Sequence, residues 1–185
     1  TILKLLMREF EGYQGSILFD GHDIRTYKQQ RLLESIGVVP QEHFLFSTTI
    51  RENIAFTNPH VSDDVVKEAA KRAHIHDDIL SLTDGYDTLV VERGVSLSGG
   101  QKQRVSIARP LILNPELLIL DDSLSAVDAQ TEADRLQSLK EVRRDETTII
   151  TSHRLSAIQH ADLILVIDGG TVVEKGTHEA LLAKR

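Results

Sequence analysis

Short apolar runs closed off by polar or glycine-containing turns recur along the chain, at Ser16 to Phe19, Ile36 to Val39, Leu117 to Leu120, Thr147 to Thr151 and Leu163 to Ile167. Their length and their Leu, Ile and Val content predict strands. Between them the apolar spacing changes to that of an amphipathic helix over Asp63 to Ala73, Gly99 to Leu113, Asp128 to Arg144 and Arg154 to Gln159. Thr1 to Met7 and His178 to Lys184 read the same way. The second half thus alternates strand and helix, which is the order of an α/β fold. The strands near residues 117, 147 and 163 are nearly continuous in aliphatic residues, so parallel strands buried on both faces are expected there.

The stretch from Gln41 to Leu113 breaks this alternation. It reads as helices and loops, with Thr48 to Ala55, Asp63 to Ala73 and Asp77 to Leu82 helical, and so as an α-helical insertion. Asn58-Pro59, Asp84-Gly85 and Gly169-Gly170 are turn signals, and the last predicts a hairpin joining Leu163 to Ile167 with Thr171 to Val173. No repeat, low-complexity tract or Gly/Ser linker divides the chain. The first residue is Thr1, and Thr1 to Met7 has the character of a helix interior without a cap, so the chain is expected to begin inside an element.

Composition narrows the picture in three ways. The 185 residues are 41% hydrophobic and 26% charged, an ordinary globular balance. A formal net charge of -7 does not favour a polynucleotide backbone, and no nucleic-acid partner is expected. With no cysteine, neither a disulfide framework nor a thiolate metal site can form. The longest apolar runs fall well short of the roughly 20 residues that span a bilayer. His74 and His76 form a His-x-His pair without an evident third ligand, and they read as surface histidines.

Two segments carry candidate chemistry. Leu117 to Leu120 ends in Asp121-Asp122, and the carboxyl ends of strands are where open α/β sheets bind ligands, so this acidic pair suits a nucleotide with its Mg²⁺. A strand running into an acidic turn is the competing reading. Leu97-Ser98-Gly99-Gly100-Gln101 precedes Lys102, Gln103 and Arg104 and then an apolar helix. Two glycines there let the first helical N–H groups approach an anion, with the helix dipole adding to the attraction. Equally, Ser98 could be an N-cap after a glycine turn.

Taken together, these segments resemble a known family. Leu97-Ser98-Gly99-Gly100-Gln101 is similar to the signature motif of ATP-binding cassette (ABC) ATPases, and it lies about 15 residues before a strand like that family's Walker B. Val38-Val39-Pro40-Gln41 resembles the Q-loop, Glu92-Arg93-Gly94 the exporter X-loop, Ser125-Ala126-Val127-Asp128 the D-loop, and Thr151-Ser152-His153-Arg154 the H-loop. Order and spacing match over essentially the whole chain. Pro40 to Phe46 with Thr49 to Ile54 is similar to exporters of the multidrug and lipid-flippase type.

The resemblance implies an α/β P-loop NTPase (RecA-like) fold, a parallel-sheet core with an α-helical insertion subdomain. Residues 1–40 and 114–185 would be the two parts of the core, and 41–113 the Q-loop, helical subdomain and signature. It implies ATP and Mg²⁺ as cofactors. Asp121 would hold Mg²⁺ through water, Gln41 would touch Mg²⁺ or the attacking water, Asp122 would polarise that water, and His153 would contact the γ-phosphate. Ser98, Gly99, Gly100 and Gln101 would serve the ATP bound mainly to a second cassette, in a homodimer or heterodimer, with Ser125 and Asp128 at the dimer interface. A transmembrane domain, fused or separate, would dock beside Phe44 to Phe46, which could otherwise be a core anchor. The place of action would be the cytoplasmic face of a membrane.

Three departures qualify this. A G-x-x-x-x-G-K-[ST] P-loop is absent from the 185 residues, and the family alignment puts it just before Thr1, so the isolated chain is expected to bind ATP weakly or not at all. Asp122 stands where the family has Glu, which resembles the degenerate site of heterodimeric exporters. Pro110 lies in the helix after the signature, where it implies a cost of about 3 kcal/mol or a kink. A soluble ABC ATPase of the DNA-repair or chromosome type is the alternative least served, because only about 55 residues without sustained heptads separate Gln41 from the signature. A non-hydrolytic regulatory cassette remains the other.

Overall fold

The period-2 alternation of the central strands sorts their side chains into two buried clusters on opposite faces of one parallel sheet. The computed structural model describes residues 2–90, 97–123 and 129–184, and for 129–135 the backbone alone. Helix α1 (Ile2–Leu6) leads into a short hairpin of β1 (Leu18–Phe19) and β2 (His22–Asp23), followed by α2 (Gln29–Glu34) and β3 (Ile36–Val39). Next come α3 (Ile50–Ile54), α4 (Asp63–Arg72), α5 (His76–Leu80) and α6 (Gly99–Leu111). The chain then runs through β4 (Leu117–Asp121), α7 (Ala129–Val142), β5 (Thr147–Thr151), α8 (Leu155–Ile158), the hairpin β6 (Ile164–Asp168) and β7 (Thr171–Gly176), and α9 (His178–Leu182).

Strands β3, β4 and β5 form a parallel sheet in that order, with Val39 opposite Leu120 and Asp121 opposite Thr151. Leu118 and Leu120 of β4 pack with Val39 against residues of α3, α4, α5 and α6. Leu117 and Ile119 point the other way and meet Leu3, Ile24, Leu32 and Ile36. This register brings the carboxyl ends of all three strands to one edge.

Local rules account for the helices around that edge. Thr49 and Glu52 close a capping box on α3, and Asn53 is fully buried, its amide bonded to Phe46 N, Phe46 O and Thr49 O. Asp63 and Asp64 open α4 and Lys71 and Arg72 end it, which complements the helix dipole. Ser98 and Gln101 form a second capping box at the start of α6. Pro110, which reads from sequence as a defect, falls in the last turn of α6. There it packs with Pro115 against Gly37 of β3, so close that a Cβ at residue 37 would sit 2.9 Å from Pro110 Cβ.

Three strand expectations change. Leu163 to Ile167 was expected to be a buried parallel strand. The expected hairpin with β7 does form through the Gly169-Gly170 turn, but it is antiparallel, and among the described residues β6 does not join the parallel sheet. Leu165, Val166 and Ile167 are exposed as a result, and β3 takes the third place. Strand β5 is half-buried rather than buried, because among the described residues it is an edge. The run Ser16 to Phe19 contributes two residues to a hairpin turned by Asp20-Gly21, both at positive φ.

Candidate functional site

The acidic pair at the end of β4 lies between the ends of β3 and β5. Gln41, two residues past β3, donates from Nε2 to Asp122 Oδ2 at 3.3 Å. From β5, Thr151 Oγ1 donates to Asp121 Oδ1 at 2.7 Å. The Asp122 N–H donates to Thr151 O at 2.9 Å and is within 3.1 Å of Thr151 Oγ1. Thr151 therefore binds both aspartates, a role its place before His153 in sequence does not reveal.

Asp122 has φ +44, a left-handed backbone that costs a non-glycine residue roughly 1 kcal/mol or more and persists only where neighbours dictate it. The turn halts the strand and brings the second carboxylate to the Gln41 amide. His153 lies two residues beyond β5 on the same edge and is exposed. The structure thus brings Gln41, Asp121 and Asp122 into one bonded group, with His153 on the adjoining loop. Carboxylate and amide oxygens are the hard donors a Mg²⁺ ion takes, so these residues fit that ion.

The phosphate-facing candidate is the first turn of α6. Ser98 Oγ accepts from Gln101 N at 3.2 Å, and Gln101 Oε1 accepts from Ser98 N at 3.0 Å. Ser98 is thus the N-cap of one reading, while Ser98 and Gly99 stay exposed as the other requires. Gln101 is not free to swing, because its Nε2 donates to Asp78 Oδ1 at 3.0 Å. Asp78 also takes Arg104 NH2 at 2.8 Å, so one carboxylate of α5 clamps the first two turns of α6. Ser125, Asp128 and Glu92-Arg93-Gly94 lie outside the described residues.

The aromatic loop after Gln41 is exposed and anchored at once. Phe44 meets Phe46 edge to face at 5.0 Å, and Phe46 stacks on Phe56 at 4.2 Å. Phe44 is 64% and Phe56 52% exposed. The Arg109 guanidinium lies under Phe46 and Phe56 and donates to Phe44 O and Asn53 O, and its burial lowers its pKa. His43 is half-buried in the same loop with the Ser123 backbone beside it, and burial holds its imidazole below the ordinary value. Among the described residues no cluster of three metal-ligating side chains is present, and no helix is long and apolar enough to cross a membrane.

Residues 1–125 match the family model described as ABC transporter. A probable multidrug resistance ABC transporter ATP-binding/permease protein of Bacillus subtilis (strain 168) is 53% identical over 183 residues, covering 99% of this chain and 31% of the relative. An uncharacterized ABC transporter ATP-binding protein of the same strain is 51% identical over 184 residues, covering 100% and 32%. Among solved structures, a bacterial Atm1-family ABC exporter with ATP bound aligns at TM-score 0.89 and 46% identity, covering 99% of this chain and 32% of that one. The chain spans about a third of the length of the curated relatives it matches. Its fold is the α/β P-loop NTPase fold of the ABC ATPases. By model match, relatives and fold, this chain belongs to the ABC transporter family.

Proposed function

We propose that this chain is the ATP-binding and ATP-hydrolysing part of an ABC exporter, which couples closure of two cassettes to passage of a substrate across a membrane. The observation that carries the reading is the Gln41–Asp122 bond at the strand edge, next to Asp121. Asp121 would hold Mg²⁺ through water, and Asp122 would orient the attacking water. Gln41 and His153 would face the γ-phosphate. Bound Mg²⁺ supplies charge neutralisation on the transferring phosphoryl group. Ser98, Gly99, Gly100 and Gln101 would meet the ATP of a second cassette, with Ser125 and Asp128 on the dimer interface.

Residues 41–113 would form the helical subdomain between the two core parts, 1–40 and 114–185. Phe44 and Phe56 are exposed and, with half-buried Phe46 between them, offer an apolar surface on the loop after Gln41, suited to a transmembrane domain, fused or separate, at the cytoplasmic face of the membrane. The 185 residues contain no P-loop pattern, so by themselves they would bind Mg-ATP weakly.

Asp122 makes this site the slower one of a heterodimer. Against Glu it withdraws the carboxylate by about 1.5 Å, one C–C bond. A misplacement of that size costs about 100-fold in rate. The test is Mg-ATP hydrolysis by the full-length protein with Asp122 and with Asp122→Glu. A gain of at least tenfold is expected. Equal rates would mean that Asp122 suffices and that a homodimer is the better reading, and no hydrolysis by either would leave the non-hydrolytic cassette.

A further inference from the structure

Asp122 is held from a second side by a residue with no part in the reading above. Gln103, in the second turn of α6, is buried, and its Nε2 donates to the Ser123 carbonyl at 2.7 Å. Ser123 follows Asp122 directly and is itself fully buried. On the other side, the Asp122 N–H is tied to Thr151 of β5. The left-handed turn at Asp122 is thus pinned at its own N–H from β5 and, one residue later, at the Ser123 carbonyl from α6. Such a conformation lasts only while both neighbours hold it.

We propose that Gln103 is a positioning residue for the Asp122 carboxylate, and that through it α6 links the partner-facing turn at Ser98 to Gln101 with the reacting end of β4. This rests on the reading that Asp122 acts on the attacking water. Gln103 lies two residues after Gln101, on a helix whose first two turns Asp78 clamps, so a displacement of that first turn moves the Gln103 amide with it. The Ser123 carbonyl follows, and the Asp122 carboxylate turns relative to Gln41. Nucleotide on the partner's side and alignment of this chain's own carboxylate are then coupled through one side chain.

The competing account is that the bond only satisfies buried polar groups and seats α6 on the sheet. Gln103→Met keeps the length and loses the donor, and it is made in the full-length Asp122→Glu protein, where hydrolysis is fast on the proposed reading. A kcat about tenfold lower is expected, with KM for ATP within twofold, because a carboxylate turned by a fraction of an ångström loses rate without losing nucleotide contacts. In the nucleotide-free protein, amide exchange over residues 119–123 is expected to rise at least fivefold. Unchanged exchange, or a kcat within twofold of the Asp122→Glu parent, would overturn the proposal, as would a parallel loss in kcat and KM.

Gln103→Glu is the second variant, needed if Gln103→Met does not fold. A carboxylate cannot donate to Ser123 O but a protonated carboxyl can, so its kcat relative to the parent should climb as pH falls from 8 to 6. A flat ratio counts against the proposal. If neither parent protein hydrolyses Mg-ATP, the functional reading has failed, and the exchange measurement still decides whether Gln103 holds the Asp122 turn.

Discussion

Replacing Asp78 with Ala should cost about 3 kcal/mol, most of it from a single abandoned cation. Arg104 is 7% exposed and its NH2 lies 2.8 Å from Asp78 Oδ2, while the Asp78 side chain is 37% exposed. Removing one partner of a fully buried pair costs about 3 to 5 kcal/mol, and of an exposed pair about 0 to 1. Here the guanidinium is buried and solvent reaches only the carboxylate side, which puts the loss at about 2 kcal/mol. The Gln101 amide loses its Asp78 acceptor as well, about 1 kcal/mol more. For a domain of this size the sum corresponds to a Tm lowered by about 6 to 12 °C. Thermal and urea unfolding of Asp78→Ala, Arg104→Met and the double variant would measure it. Asp78→Asn, whose single amide oxygen can accept from Arg104 or from Gln101 but not both, should lose about 2 kcal/mol, between the parent and Asp78→Ala. A loss below 1 kcal/mol for Asp78→Ala, or single losses that simply add in the double variant, would refute the clamp.

Gly37→Ala should lower stability by about 1 to 2 kcal/mol, since the new Cβ would lie 2.8 Å from Pro115 Cγ and 2.9 Å from Pro110 Cβ, both on stiff rings; an unchanged Tm would contradict this. Asn53→Ala strips the partners of Phe46 N and O and one acceptor of Arg109, so a loss of about 3 kcal/mol and blunted order in the Phe44–Phe46 loop are expected from unfolding and amide exchange. Asp23 is held at about 2 by its bonds to Arg25, below the ordinary aspartate value of 3.8, so the folded state favours its charged form. Its contribution is complete above pH 3.8 and fades as pH falls toward 2, so the Tm gap between Asp23→Asn and the parent should narrow over that window. A gap independent of pH would dispose of the assignment.

Much of the candidate site's placement in the fold was legible because it depends on local order. Ile36 to Val39 and Thr147 to Thr151 form strands at those bounds, and Asp121-Asp122 does lie at a strand's carboxyl end. What connects these ends was not legible. Gln41 reaches Asp122 across 81 residues, Arg104 reaches Asp78 across 26, and Arg109 reaches Asn53 across 56. No periodicity or turn rule encodes which polar side chain meets which over such separations. Pro110 looked like a fault for the same reason, since its partner Gly37 is on another element.

The sequence by itself determined the α/β alternation, the helix that begins after Ser98, the motif order and hence the family, because each depends on residues close together in the chain. Tertiary structure alone decided that β3 rather than β6 flanks β4, that Thr151 binds both aspartates, and that Gln103 pins the turn after Asp122. An apolar run states that a strand wants burial, but sheet order is set by which neighbour can offer it a matching edge and face. That competition is settled only when the whole chain packs.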